Sequence, residues 1–352
     1  MIREVNEIRF TTGEIRKKDI MQIQKISFVI PCYNEKDVLG EFYRRVKVLS
    51  DDLKGYSFEF LFVNDGSVDE TEIILNALAQ QDPRVKVLHF ARNQGHQIAL
   101  SAGMDFATGD MIVTIDADLQ DPPEIVKQMI DKIQQGYEIV HAKRRHRQGE
   151  SWFKLATARV FYKLMGRISD FEMTEDVGDF RAFTRPVLET VLRFRERHKF
   201  LRGIFAMIGY KQCFVDYDRD RRFAGATKYP LAKMIRLAVN AILSFSSSPL
   251  RFIIWLSFVL WGFSLIYLGK ALYEYFVLKI TVPGWTSIIV LQIFFTGIIL
   301  FCMGIIGSYI GRIFEQGQRR PLYWIRETRN IDFDKTDDAL KVIESEPRIG
   351  KN

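Results

Sequence analysis

Cysteine is scarce in this chain of 352 residues. There are three, Cys32, Cys213 and Cys302, odd in number and far apart. That pattern argues against a disulfide framework and against a metal centre built on thiolates. The opening residues are charged and lack an apolar stretch, so they do not form a secretory signal; 1–24 reads as an extension ahead of the first domain. Charge itself is missing from two long segments, Phe252 to Gly269 and Thr281 to Gly311. A bilayer core takes about 20 apolar residues in a helix. Both segments therefore read as transmembrane helices, over 250–276 and 285–311, because soluble core helices rarely stay free of charge over such lengths.

Positive charge is present in excess, at a net +7, and it is clustered. Lys228, Lys233, Arg236 and Arg251 precede the first apolar segment; Arg312, Arg319, Arg320, Arg326 and Arg329 follow the second. Positive charge marks the cytoplasmic side, so both termini are expected there, with a short outer loop around Pro283-Gly284 and a cytoplasmic basic tail over 312–352. Tyr273, Tyr275 and Trp285 fit the outer interface. Attraction to anionic lipid accounts for the excess charge better than nucleic acid does. Trp152 to Arg167 and Leu231 to Leu243 have apolar residues at helical spacing with basic neighbours. They read as amphipathic interfacial helices, over 152–168 and 230–246. Packing on the sheet as ordinary surface helices remains open for each. Gly304, Gly307 and Gly311 recur at near-helical spacing, which allows close helix contact within one molecule or in a homo-oligomer. Plain lipid exposure is the equal alternative.

Residues 26–141 alternate β-rich runs with helical patterns. Strands are expected at Ile26–Ile30, Phe58–Val63, Val85–Phe90, Met111–Ile115 and Glu138–Ala142. Helical patterns run through Val38–Leu53, from Ser67, and through His96–Ala107 and Pro123–Gln134. Such alternation implies an α/β domain with a mostly parallel sheet, over 25–229, and ligands on such sheets bind at the carboxyl ends of the strands. Polar residues gather at those ends: Asn34 and Glu35, Asp65, Asn93, then Asp116, Asp118 and Gln120. A lone aspartate after a strand is usually a cap; four strand ends carrying such groups are harder to dismiss.

The ordered series Val29-Ile-Pro-Cys-Tyr-Asn-Glu35, Val63-Asn-Asp-Gly-Ser67, Arg92-Asn-Gln-Gly95, Asp116-Ala-Asp-Leu-Gln120, Val177-Gly-Asp-Phe-Arg181, Arg222-Phe-Ala-Gly225 and Lys228-Tyr-Pro230 resembles family 2 glycosyltransferases of the GT-A (Rossmann-like) fold. It is most similar to the polyprenyl-phosphate enzymes, specifically bactoprenol glucosyltransferases of O-antigen modification systems. The resemblance covers about residues 25–325. It implies a GT-A catalytic domain followed by interfacial helices and two transmembrane helices in a bacterial inner membrane. It also implies inverting transfer of one sugar, glucose from UDP-glucose, to undecaprenyl phosphate at the cytoplasmic face. By resemblance, Pro31, Tyr33, Asn34, Glu35, Gly66, Asn93, Asp116 and Ala117 line the nucleotide pocket and Asp65 recognises uracil. Asp116, Asp118 and Gln120 are the implied ligands of Mg²⁺ or Mn²⁺.

A hard cation held by one or two carboxylates, with the substrate diphosphate and water completing its shell, suits a departing nucleotide. The acceptor phosphate is mostly dianionic at pH 7, so the harder task is to hold two anions close together, which calls for arginine and lysine. Arg222 and Lys228, with Arg219, are the candidates for the acceptor phosphate; contact with lipid head groups alone is the competing reading. Asp179 matches the family's catalytic base, and a buried acid paired with Arg181 or another nearby arginine is the alternative. No Gln-x-x-Arg-Trp motif of the processive synthases is present. Mannose from GDP-mannose, a non-catalytic nucleotide-sugar-binding subunit and a flippase partner stay open.

Overall fold

The protein is seen in a computed structural model that describes residues 22–145, 177–197, 199–218, 248–277 and 284–331. Among these residues eight strands form one sheet in the order β7-β5-β6-β4-β1-β2-β3-β8. The strands are β1 (Lys25–Cys32), β2 (Ser57–Asn64), β3 (Val85–Phe90), β4 (Met111–Thr114), β5 (Ile139–Arg144), β6 (Val177–Thr184), β7 (Gln212–Tyr217) and β8 (Ile325–Arg329). β1 to β4 run parallel to one another, and β6 and β8 run against them. β5 pairs parallel with β7 on one side and antiparallel with β6 on the other, and the sheet is mostly parallel.

The central strands are apolar on both faces, as strands sandwiched between helices must be. Ile26, Phe28 and Ile30 of β1 pack with α1 (Leu39–Asp52), α2 (Thr71–Gln81) and α4 (Val126–Gln134). Val29, Leu61, Val63 and Ile112 point the other way, toward α3 (His96–Phe106), α5 (Arg185–Leu192) and α6 (Leu201–Met207). This is the alternation of strand side chains building two cores. In α1 the buried Leu39, Phe42, Tyr43, Val46 and Leu49 fall at helical spacing.

The expected fifth strand forms, but it does not lie beside β4. β6 intervenes, so two antiparallel pairings stand where consecutive parallel strands were expected. Ile23 already packs into the core and Gln24 donates its N–H to Asp110, so the domain begins ahead of residue 25. The interfacial helices expected at 152–168 and 230–246 lie outside the described residues.

Two long helices follow, α7 (Ser248–Phe276) and α8 (Trp285–Gly317). In α8 the stretch Phe294–Gly317 has a mean hydropathy of 1.9, is not buried and is long and apolar enough to cross a membrane. The apolar run of α7, Phe252–Tyr267, falls short of that length. Among the described residues one helix meets the criterion, so the second of the two expected crossings is not shown. α8 also continues past the expected end at 311, and β8 lies in the segment read as tail.

Candidate active site

Because β1 to β4 are parallel, their carboxyl ends share one edge, and the loops leaving them are laced together. Asn34 sits at φ 56°, donates its N–H to Ser67 Oγ at 3.0 Å and accepts the Val68 N–H at 2.9 Å. Glu35 donates its N–H to Thr71 Oγ1 at 2.9 Å. Asp65, buried at the end of β2, accepts the N–H groups of Gln94 at 2.6 Å and Gly95 at 2.9 Å. Burial pushes its carboxyl up, and those two hydrogen bonds work in the opposite sense. Gly66, at φ 65°, makes this joint possible: a Cβ there would lie 2.5 Å from the Arg92 carbonyl carbon. No side chain fits so close to another backbone.

Asp116 and Asp118 follow β4, both half-buried. Leu119 between Asp118 and Gln120 is at φ 59°, and the Gln120 N–H reaches back to Asp118 Oδ1 at 3.1 Å. β6 brings its charged residues alongside. Thr114 lies opposite Arg181, and its hydroxyl donates to the Asp179 carbonyl at 2.5 Å. The Asp179 side chain is nearly buried, and four groups converge on it. Arg202 grips both carboxylate oxygens at 3.2 and 3.1 Å. Arg181 approaches at 3.3 Å, Gln97 Nε2 at 3.3 Å and His96 Nε2 at 3.4 Å. His96 Nε2 is also 3.5 Å from Asp116 Oδ1, so one imidazole bridges the two acids. The Arg181 guanidinium, 2% exposed, is stacked on Phe205 at 4.3 Å.

The charges follow from this packing. Burial works against an ionised Asp179, but Arg202, His96 and Arg181 outweigh it and hold the carboxyl well below its usual range. Burial likewise opposes a charged His96, yet Asp116 and Asp179 lift it to about 9. Asp116 is pushed up to about 6, first by burial and then, against His96, by Asp179, Asp118 and Asp121. At neutral pH Asp179 is therefore an ionised, clamped carboxylate, poorly suited to accept a proton.

The structure thus brings Asp116, Asp179 and Arg181 together, with Asp118 and Gln120 one turn of chain away. Asn34, Asp65, Gly66 and Asn93 belong to the adjoining loops. Pro31 and Ala117 are buried, and Tyr33 is 47% exposed. Arg219, Arg222 and Lys228 lie outside the described residues. His96, Gln97 and Arg202 escaped the sequence reading. The available signals were a histidine directly after the Arg92–Gly95 loop and the basic run from Arg193 to Arg202.

Fold and rim together define a glycosyltransferase of the GT-A type. The chain belongs to glycosyl transferase family 2, whose pattern matches residues 27–192. Over 87% of its length it is 45% identical to the uncharacterized glycosyltransferase YkcC of Bacillus subtilis (strain 168), covering 94% of that protein. It is 41% identical to a prophage bactoprenol glucosyl transferase homolog of Escherichia coli (strain K12), over 87% of this chain and 99% of that one. With the bactoprenol glucosyl transferase of Shigella phage SfV the identity is 40%, again over 87% of this chain and 99% of the other.

Proposed function

We infer that this protein transfers one glucose from UDP-glucose to a polyprenyl (undecaprenyl) phosphate at the cytoplasmic face of a bacterial inner membrane. The observation that carries this reading is near-full-length similarity: two relatives named for bactoprenol glucosylation align over 99% of their own lengths. The alignment length leaves little room for a different acceptor domain.

The nucleotide side uses Asp65 toward the uracil, with Pro31, Tyr33, Asn34, Glu35, Gly66, Asn93 and Ala117 lining the pocket. Asp65 keeps lone pairs beyond those that hold Gln94 and Gly95. The residues present fit a divalent cation. Asp179 is paired by Arg202 and Arg181 and Asp121 by Arg144, so the negative charge a cation would meet is that of Asp116 and Asp118. Among the described residues no three His, Cys, Asp or Glu form a metal centre by themselves. That favours a hard ion that takes the rest of its shell from diphosphate and water. Asp116, Asp118 and Gln120 would hold Mg²⁺ or Mn²⁺, which when bound offsets charge on the departing UDP.

Asp179 orients and steadies rather than abstracts a proton. The acceptor phosphate, mostly dianionic at pH 7, attacks the anomeric carbon unaided and inverts it. Arg202 and Arg181 supply positive charge beside the reacting groups, and Arg222, Lys228 and Arg219 are assigned to the acceptor phosphate. On this reading α7 and α8 cross the bilayer as a pair, with both termini in the cytoplasm as the clustered positive charge suggests.

A labelled panel of UDP-glucose, other UDP-sugars and GDP-mannose, offered with undecaprenyl phosphate with and without EDTA, tests the reading. The expected result is a β-linked glucosyl lipid from UDP-glucose alone, abolished by EDTA. Product from GDP-mannose instead, or from no nucleotide sugar, overturns it.

A further inference from the structure

The chain does not leave the catalytic domain after α8; it returns to it. β8 pairs antiparallel with β3 along the sheet edge. Around that pairing, Tyr323 stacks on Phe90 at 5.5 Å and donates its hydroxyl to Asp105 at 2.8 Å. Arg326 pairs with Glu72 at 2.5 Å. The Asn330 amide donates to the carbonyls of Ala79 and Val85 at 2.7 and 2.8 Å. These contacts fasten the strand. One contact reaches a different target. The Trp324 carbonyl accepts the Ala91 N–H at 3.0 Å, and its ring lies against the Arg92 guanidinium, 4.9 Å from the ring centroid.

Arg92 opens the loop Arg92–Gly95. The far end of that loop is fixed by the Asp65 carboxylate through Gln94 and Gly95. Gly66 packs under its near end. The next residue is His96, the bridge between Asp116 and Asp179. The loop therefore has an inner anchor at Asp65 and an outer anchor at Trp324. The outer anchor belongs to the segment that emerges from the apolar helix.

We propose that Trp324 is a positioning residue for the nucleotide sugar: by stacking on Arg92 it holds the Arg92–Gly95 loop, and with it Asp65 and His96, in binding geometry. The proposal rests on the nucleotide-sugar reading above. Trp324 acts through Arg92 and touches no reacting group. An indole face is the best of the aromatic surfaces for a guanidinium. At 39% exposure the stack is partly wet, so its loss is felt as a moderate change in affinity.

The test is steady-state kinetics on the full chain in detergent, varying UDP-glucose and undecaprenyl phosphate separately. Trp324→Ala is expected to raise KM for UDP-glucose about two- to fivefold, with kcat and KM for the lipid unchanged. Trp324→Phe and Trp324→Tyr keep a ring face and recover most of the loss. Arg326→Ala breaks a neighbouring anchor of the same strand and leaves KM for UDP-glucose unchanged. An unaltered KM in Trp324→Ala, or an equal rise in Arg326→Ala, overturns the proposal. Titration calorimetry with UDP reads the same shift without any transfer. Wild-type protein that binds UDP but forms no glucosyl lipid would sink the acceptor reading and leave the Trp324 comparison intact.

Discussion

Asp179 illustrates how a residue's partners decide its role. As an isolated aspartate in a cleft it would pass for a general base. With Arg202 on both oxygens, Arg181 beside it and His96 across from it, it is a fixed anion. The consequence is measurable. Arg202→Ala should lower kcat roughly 10–100-fold, the cost usual for groups that hold a functional carboxylate in place, while Arg202→Lys recovers part of it. Retention of full activity in Arg202→Ala would make the clamp irrelevant to turnover. Gly66 carries a second residue-level expectation. Its φ of 65° and the 2.5 Å approach to Arg92 leave no room for a methyl group. Gly66→Ala should cost about 1–3 kcal/mol of stability and weaken UDP binding, read by thermal melting and calorimetry. An unchanged UDP affinity would separate this turn from the nucleotide site.

At the scale of elements, the inner end of the sheet is tied by one acid. Glu59 of β2 accepts from Ser27 of β1 at 2.5 Å, Lys86 of β3 at 2.7 Å and the N–H of Thr108 before β4 at 2.6 Å. Burial opposes its charge, but the hydrogen bonds from Lys86, Ser27 and Thr108 outweigh it and bring the carboxyl down to about 2. A group held below its unfolded value stabilises the fold above that value, near 4.5, and the contribution fades as pH falls toward 2. The lowering corresponds to about 3 kcal/mol. Urea unfolding between pH 3 and 7 should show about 2 kcal/mol of that loss in the wild-type protein, the remainder falling below pH 3, and a flatter curve in Glu59→Gln; identical curves would refute it. The same elements show what was legible in the chain. β1 to β4 were readable because strands covered on both faces are apolar almost throughout. β6 was not, because Asp179 and Arg181 are buried in it as mutual partners, and a charged pair in a core strand looks like a loop motif. β8, Ile-Arg-Glu-Thr-Arg, is a charged edge strand and reads as tail until β3 is beside it. His96 and Arg202 were hidden for a related reason. Their meaning lies in contacts with Asp179, 83 and 23 residues away in the chain, which no local pattern announces.

For the whole molecule, the length of α7 bears on how the chain meets a bilayer. α7 carries no charged residue from Phe252 to Gly269, and the helix itself has 29 residues. At 1.5 Å per residue that is about 43 Å, more than the roughly 30 Å of a hydrocarbon core. Its exposed Trp255, Phe258, Trp261 and Ile266 leave a large apolar surface that water does not favour. If α7 crosses, Lys270 lies near its far end, where a lysine stem can stay in lipid while its ammonium reaches water. α8, with 33 residues, is also longer than that thickness, and the chain after it pairs with β3 on the catalytic sheet. A return to the starting side requires an even number of crossings, so if α8 spans, α7 must span with it. A cysteine introduced at Thr281, in a background where Cys32, Cys213 and Cys302 are serine, should react with a membrane-impermeant maleimide in intact cells. A cysteine at Asp218, beyond β7, should react only after lysis. Labelling of both positions only after lysis would mean that α7 lies along the surface and the chain does not cross.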